Sequence, residues 1–207
     1  MRRISKMICL AYVLANAGGG CLGDDDLITD DAEQAVTGSR TIHNVYITWY
    51  GFSDNSCQVS SAHNCNTIAF PRNAGFPTRH DIATEDQGTF DNPITFATAA
   101  RGSGSTAEFP VGSKIYVPLV RKYFVMEDQC FECGQEWFNQ NRHSPHVDLW
   151  MGPSFGSADG PLTDCEEKLT LGSPFHGTGT IVANPARGLA VDTHPLFTHN
   201  QCTAHTF

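Results

Sequence analysis

Residues 121–133 read RKYFVMEDQCFEC: strand-like alternation runs into two acids, Glu127 and Asp128, and then into the pair Cys130 and Cys133. A further acid, Asp148, returns inside HVDLW (146–150). Carboxyl groups at strand ends beside aromatic rings are the raw material of general acid and base catalysis at a glycosidic bond. Along HVDLW, Val147 and Leu149 point away from Asp148, whereas His146 and Trp150 share its side. A carboxyl beside an indole loses hydration, its pKa rises, and it holds a proton ready for a leaving oxygen. Asp148 is therefore the first candidate acid.

Two other carboxyls are candidate partners. Alternation along 122–128 puts Tyr123, Val125 and Glu127 on one face and Phe124, Met126 and Asp128 on the other. Phe124 and Met126 read as core, so Asp128 is expected at the core-facing end of its strand, serving either a fold-stabilising network or a cleft. Asp54 follows TWYG (48–51) within SDNS, where an Asx-turn is the competing role. Trp49, Tyr50, Phe52, Trp137, Phe138 and Trp150 add rings of the kind on which sugars stack. Trp49 and Tyr50 alternate, so at least one is expected outside the core.

Eight cysteines are present. Cys9 and Cys21 belong to the N-terminal region. Cys57, Cys65, Cys130, Cys133, Cys165 and Cys202 make an even set, which suggests three disulfides in an oxidising compartment without selecting a pairing. Cys130, Cys133, His143 and His146 also have the spacing of a zinc set, but even cysteine parity and export favour disulfides. A redox Cys-x-x-Cys opens a helix after a strand; Phe131 and Glu132 read as an acidic loop instead. No cofactor or metal is expected.

The elements that must position these groups are short. Residues 1–20 form a signal peptide: Arg2, Arg3 and Lys6, then the apolar run MICLAYVLANA, then small residues. Cys21 follows either as the first residue of a lipoprotein or as an ordinary residue after cleavage; a lipoprotein signal usually carries Leu where Gly18 stands. Residues 21–40 are an acidic flexible tether. Residues 41–207 are one domain's length. Strands are expected at 41–52, 66–71, 93–100, 112–120, 122–128, 146–152 and 178–184, with a hairpin through Val120–Lys122 and helical character only around Pro161–Leu171. Short strands between Gly/Pro turns point to an all-β sandwich or barrel. The formal charge of −9 argues against nucleic acid as a partner.

Several ordered motifs resemble one superfamily. PVGSKIYV (110–117), the strand ending in Asp128, and VDLWMG (147–152) are similar to the double-psi β-barrels of expansins, family-45-type endoglucanases, RlpA-like proteins and the MltA/3D lytic transglycosylases. ITWYG (47–51) resembles the TxYG opening of expansins and RlpA, and HVDL (146–149) the HxDL of expansins and family-45 enzymes. The resemblance covers scattered pieces of 47–152 and leaves 153–207 unmatched. It implies an all-β, six-stranded double-psi β-barrel with loop insertions, stapled by disulfides. It implies Asp148 as general acid, with Asp54 or Asp128 as the second acidic group. It places Trp49, Tyr50, His146, Trp150 and Asp91 along a substrate groove. The expected protein is secreted and monomeric. It acts on peptidoglycan or a β-1,4-linked cell-wall glycan, and Cys21 is its one route to a membrane. A non-hydrolytic polymer-loosening binder and a barrel-type protease inhibitor or effector are the alternatives on the same scaffold.

Overall fold

The computed structural model describes residues 38–53, 55, 65–139, 144–152, 159–170 and 178–207. The expected signal peptide, most of the tether, Asp54, Cys57 and His143 lie outside the described residues. The strands of the main sheet are β1 (Arg40–Tyr50), β2 (Ile94–Thr98), β5 (Lys114–Val117), β6 (Lys122–Gln129), β7 (His146–Trp150) and β8 (Thr178–Ala183). They close into a barrel in the order β1-β7-β2-β6-β5-β8. Two pairings are parallel, β1 with β7 and β2 with β6; the other four are antiparallel. Two small hairpins, β3 (Ala100–Arg101) with β4 (Thr106–Ala107) and β9 (Phe197–Thr198) with β10 (Gln201–Cys202), stand outside the barrel. Two helices, α1 (Phe131–Asn139) and α2 (Asp159–Leu169), complete the architecture. No helix among the described residues is long and apolar enough to cross a membrane.

Period-2 patterning builds the barrel core. Val45 and Ile47 from β1, Ile94 and Phe96 from β2, Ile115 and Val117 from β5, Phe124 and Met126 from β6, and Val147 and Leu149 from β7 are all fully buried in one cluster. The β5–β6 hairpin turns through Val120–Arg121, as its alternation predicts. Asn44, one of the few residue types that adopts left-handed φ readily, stands at +59° where the β1–β8 register shifts. Gly112 of the PVGS motif has φ +82°, and a Cβ there would run into the carbonyl oxygen of Pro77.

Two expectations need correction. Residues 66–71 do not form a strand. Their backbone is instead consumed by β6: Phe70 N–H donates to the Glu127 carbonyl and Ala69 N–H to Asp128 Oδ1. The Cys-x-x-Cys segment is not a loop, because α1 begins at Phe131, directly after β6. Cys130 and Cys133 are bonded to each other across that junction, which precludes their use as a thiolate pair for zinc.

A second disulfide joins Cys165 of α2 to Cys202 of β10 over a separation of 37 residues, and Cys65 is also disulfide-bonded. Closing a loop of that length restricts the unfolded chain. Replacing Cys165 and Cys202 with Ala is expected to lower stability by about 3–4 kcal/mol, read from urea unfolding under non-reducing conditions. A loss below about 1 kcal/mol would mean the C-terminal hairpin is held by packing alone.

Candidate functional site

The strand register assembles the candidate acids. On β1 and β7, Thr48 stands beside Asp148, Tyr46 beside His146 and Tyr50 beside Trp150. On β2, Ala97 lies opposite Asp148 and also beside Asp128 of β6. Thr48, Asp148, Ala97 and Asp128 thus form one row across four adjacent strands. Ala97 contributes no more than a methyl between the two carboxyls, whose Cα atoms stand two strand spacings apart, roughly 9–10 Å.

A bulge makes this row possible. Phe96 pairs with Met126, but Ala97 pairs with Asp128, so the β2–β6 register skips Glu127. Strict alternation would turn Asp128 into the core beside Met126. The extra residue instead sets it on the face shared with Ala97 and Asp148. Glu127 is fully buried and anchors the loop alongside, accepting hydrogen bonds from the N–H groups of Arg79 and His80 and the hydroxyl of Thr95. His80 Nδ1 lies 2.7 Å from Oε2, the oxygen that also accepts from Thr95.

Asp148 is half-buried and sits at the end of a polar chain. The Thr48 hydroxyl donates to Asp148 Oδ1 at 2.7 Å, and His146 Nε2 lies 3.0 Å from the same hydroxyl. His146 Nδ1 lies 3.0 Å from Glu136 Oε2 on α1. With the Thr48 proton committed to Asp148, Nε2 must donate to Thr48. Glu136 thus orients the imidazole that holds Thr48. Glu108 supports the chain by accepting from the His146 N–H and the Thr98 hydroxyl.

Asp128 is buried behind this front. Its Oδ2 accepts from the Tyr50 hydroxyl at 3.0 Å and its Oδ1 from the N–H groups of Ala69 and Gln129. Burial pushes its pKa up to about 6, the three donors pull it back, and nearby Glu127 adds to the rise. Burial and the charges of Asp128 and Asp148 drive the Tyr50 phenol well above its ordinary value. Burial likewise raises Glu108 to about 7 against the Thr98 and His146 donors, with Glu136 adding repulsion.

These raised carboxyls set a pH dependence. Glu85 is also lifted to about 7 by burial, although the N–H groups of Leu196 and Phe197 and the charge of Lys122 oppose it. Each such group keeps its proton in the folded state at a pH where the unfolded chain has lost it. Its contribution to stability is therefore full below the unfolded value and is lost as pH rises through the folded one. Stability is expected to fall between about pH 4 and pH 7. Glu85→Gln is expected to flatten that fall by on the order of 2–3 kcal/mol, checked by urea midpoints across the range. A wild-type profile that rises across this window would contradict the burial of these protons.

The structure does not use Trp49, Tyr50 or Trp150 as open platforms. Trp150 is 0 % exposed, with its ring edge-on to Tyr50. Trp49, 5 % exposed, points into the barrel against Phe124. Tyr50 and His146 are buried members of the hydrogen-bond network. The expectation that Trp49 or Tyr50 escapes the core fails because α2 covers the outer face there. A Cβ on Gly51 would overlap Leu162 of α2, which explains the glycine of TWYG. Asp91 stands before β2, at the opposite end from Ala97, and is exposed in an ion pair with Arg187 that holds its carboxyl low. Thr48, Glu108 and Glu136 were not among the sequence candidates. Thr48 alone had a signal, its place in TWYG beside HVDL. The sulfurs of Cys130 and Cys133 do lie within 4.8 Å of a His146 nitrogen, as their spacing with His146 suggested.

The family model described as the DDB_G0273701 N-terminal domain matches residues 42–203, which holds both helices and all of the barrel but the first two residues of β1. The chain belongs to this family. The matched stretch of this chain includes Thr48, Ala97, Asp128 and Asp148. An uncharacterized protein of Dictyostelium discoideum, DDB_G0273701/DDB_G0273221, is 35 % identical over 197 residues, covering 95 % of this chain and 67 % of that protein. No solved structure matches the chain.

Proposed function

We propose that this is a secreted, carbohydrate-active double-psi β-barrel protein that cleaves a structural polysaccharide, peptidoglycan or a β-1,4-linked glycan, with Asp148 as the general acid. The observation that carries the reading is the row itself: a half-buried carboxyl linked to the His146–Glu136 pair through Thr48, with a second, proton-retaining carboxyl two strands away. Asp148 protonates the glycosidic oxygen. Thr48 and His146 orient its carboxyl. Asp128, raised to about 6, holds Tyr50 in place and keeps a second negative charge off the row under mildly acidic conditions. The two parallel pairings inside a closed six-stranded barrel support the double-psi reading.

The state of the second carboxyl bears on mechanism. Asp128 is buried and accepts from Tyr50, Ala69 and Gln129, which leaves it poorly placed as a nucleophile or base. A lytic reaction in which a hydroxyl of the sugar attacks fits better. Release of reducing ends or anhydro-sugars from peptidoglycan and cellulose tests the reading, and wild type that binds these polymers without releasing sugar would refute cleavage. That outcome is the second reading, a non-hydrolytic loosening protein. It is favoured by one observation: Asp128 is buried behind Tyr50, so among the described residues of the row Asp148 is the accessible carboxyl.

A further inference from the structure

On the far side of the chain from Asp148 in sequence, three groups converge at the C-terminal tail. Asp192 Oδ1 lies 2.7 Å from His194 Nδ1, and its Oδ2 lies 2.7 Å from His205 Nδ1. The two imidazoles are tilted against each other with centroids 4.6 Å apart. One ligand atom from each residue falls within 4.8 Å of the other two. We infer that Asp192, His194 and His205 form a binding site for a borderline divalent transition-metal ion, zinc above all.

The donor set decides the ion. Two imidazole nitrogens and one carboxylate oxygen suit zinc or copper, whereas calcium and magnesium demand mostly oxygen. Three protein ligands leave a coordination position for water or for a group from another molecule. The site is built before any ion arrives. The N–H of His194 donates to Asp192 Oδ1 at 2.9 Å, fixing the carboxylate. The Asp192 main chain is pinned to the barrel, its N–H to the Arg121 carbonyl and its carbonyl to the buried ammonium of Lys122. His205 is held on both sides. Thr203 bonds Leu196 and Pro195, Cys202 is disulfide-linked, and Phe207 N–H bonds Leu119 while the Arg121 guanidinium lies over its ring. Two cations, Arg121 and Lys122, are close, but both are committed to these contacts. The imidazoles themselves are open, with side-chain exposures of 67 % and 53 %. A bound ion would clip the tail to the 192–194 loop.

Calorimetric titration of the chelator-stripped full chain with zinc chloride tests this. One equivalent should bind at micromolar concentration or tighter, and the His194 and His205 ring resonances should shift while that equivalent is added. His194→Ala and His205→Ala should each weaken binding by at least about tenfold. His199→Ala, a nearby exposed histidine outside the cluster, should leave it unchanged. Because both imidazoles are exposed, the variants should keep the wild-type circular dichroism. Binding only at millimolar zinc, or equal affinity of wild type and the His194→Ala/His205→Ala double variant, would overturn the site. So would zinc-induced shifts confined to other histidines, a result that needs no variant.

Discussion

Asp148→Asn is expected to lower sugar release from cell-wall polymers by at least about a hundredfold while leaving the protein folded. The amide is nearly isosteric and its oxygen can still accept from Thr48, so β1 and β7 should stay in register. What it lacks is a proton to give. Thr48→Val should act in the same direction but less strongly, because it severs Asp148 from His146 and leaves the carboxyl in place. Asp91→Asn serves as the control, since Asp91 is exposed, paired with Arg187 and at the other end of β2. Unchanged release in Asp148→Asn would remove Asp148 from the chemistry. Unchanged binding with release lost in that variant alone would separate the acid from the surface that holds the polymer.

Glu127→Ala should be the most damaging single substitution for stability. The carboxyl is fully buried and serves two backbone N–H groups, the Thr95 hydroxyl and the His80 ring. Truncation leaves those donors in a space that water does not reach. Removing one side of such a network costs about 3–5 kcal/mol, a large part of the 5–15 kcal/mol that holds a typical domain together. Urea unfolding should show the midpoint falling with little change in slope. Glu127→Gln, which keeps an acceptor, should lose less. Since Glu127 is the bulge residue that turns Asp128 onto the outer face, the same variant should also disturb the row. A loss below about 1 kcal/mol would show that the loop at 79–80 is held by other contacts.

The bulge marks where sequence reasoning met its limit. Alternation placed β1, β5, β6, β7 and β8 within a few residues of their observed positions, because each has one face in a common apolar core. The same rule put Asp128 in the core, since period-2 parity has no means to register one inserted residue. Lys122 carried no reading from the sequence: it is 2 % exposed, and the tail residue Asp192, 70 positions later, offers its ammonium a carbonyl. Helix α1 was missed for a different reason. FECGQEWFN carries a glycine and no sustained apolar period, and its helix is held by a disulfide at the first turn and by the Glu136–His146 contact. Pairing of TWY with HVD was legible as two motifs, but their side-by-side register is a property of the parallel β1–β7 ladder, which spans about 100 residues of chain.

A backbone-amide chemical-shift titration with a soluble oligosaccharide, either a β-1,4-linked glucan or a peptidoglycan fragment, tests the central claim most directly. The largest shifts should map to Thr48, Ala97 and Asp148 and to their neighbours on β1, β2 and β7. Shifts that cluster away from this row, or a spectrum unmoved by either sugar at millimolar concentration, would contradict a glycan site over Asp148.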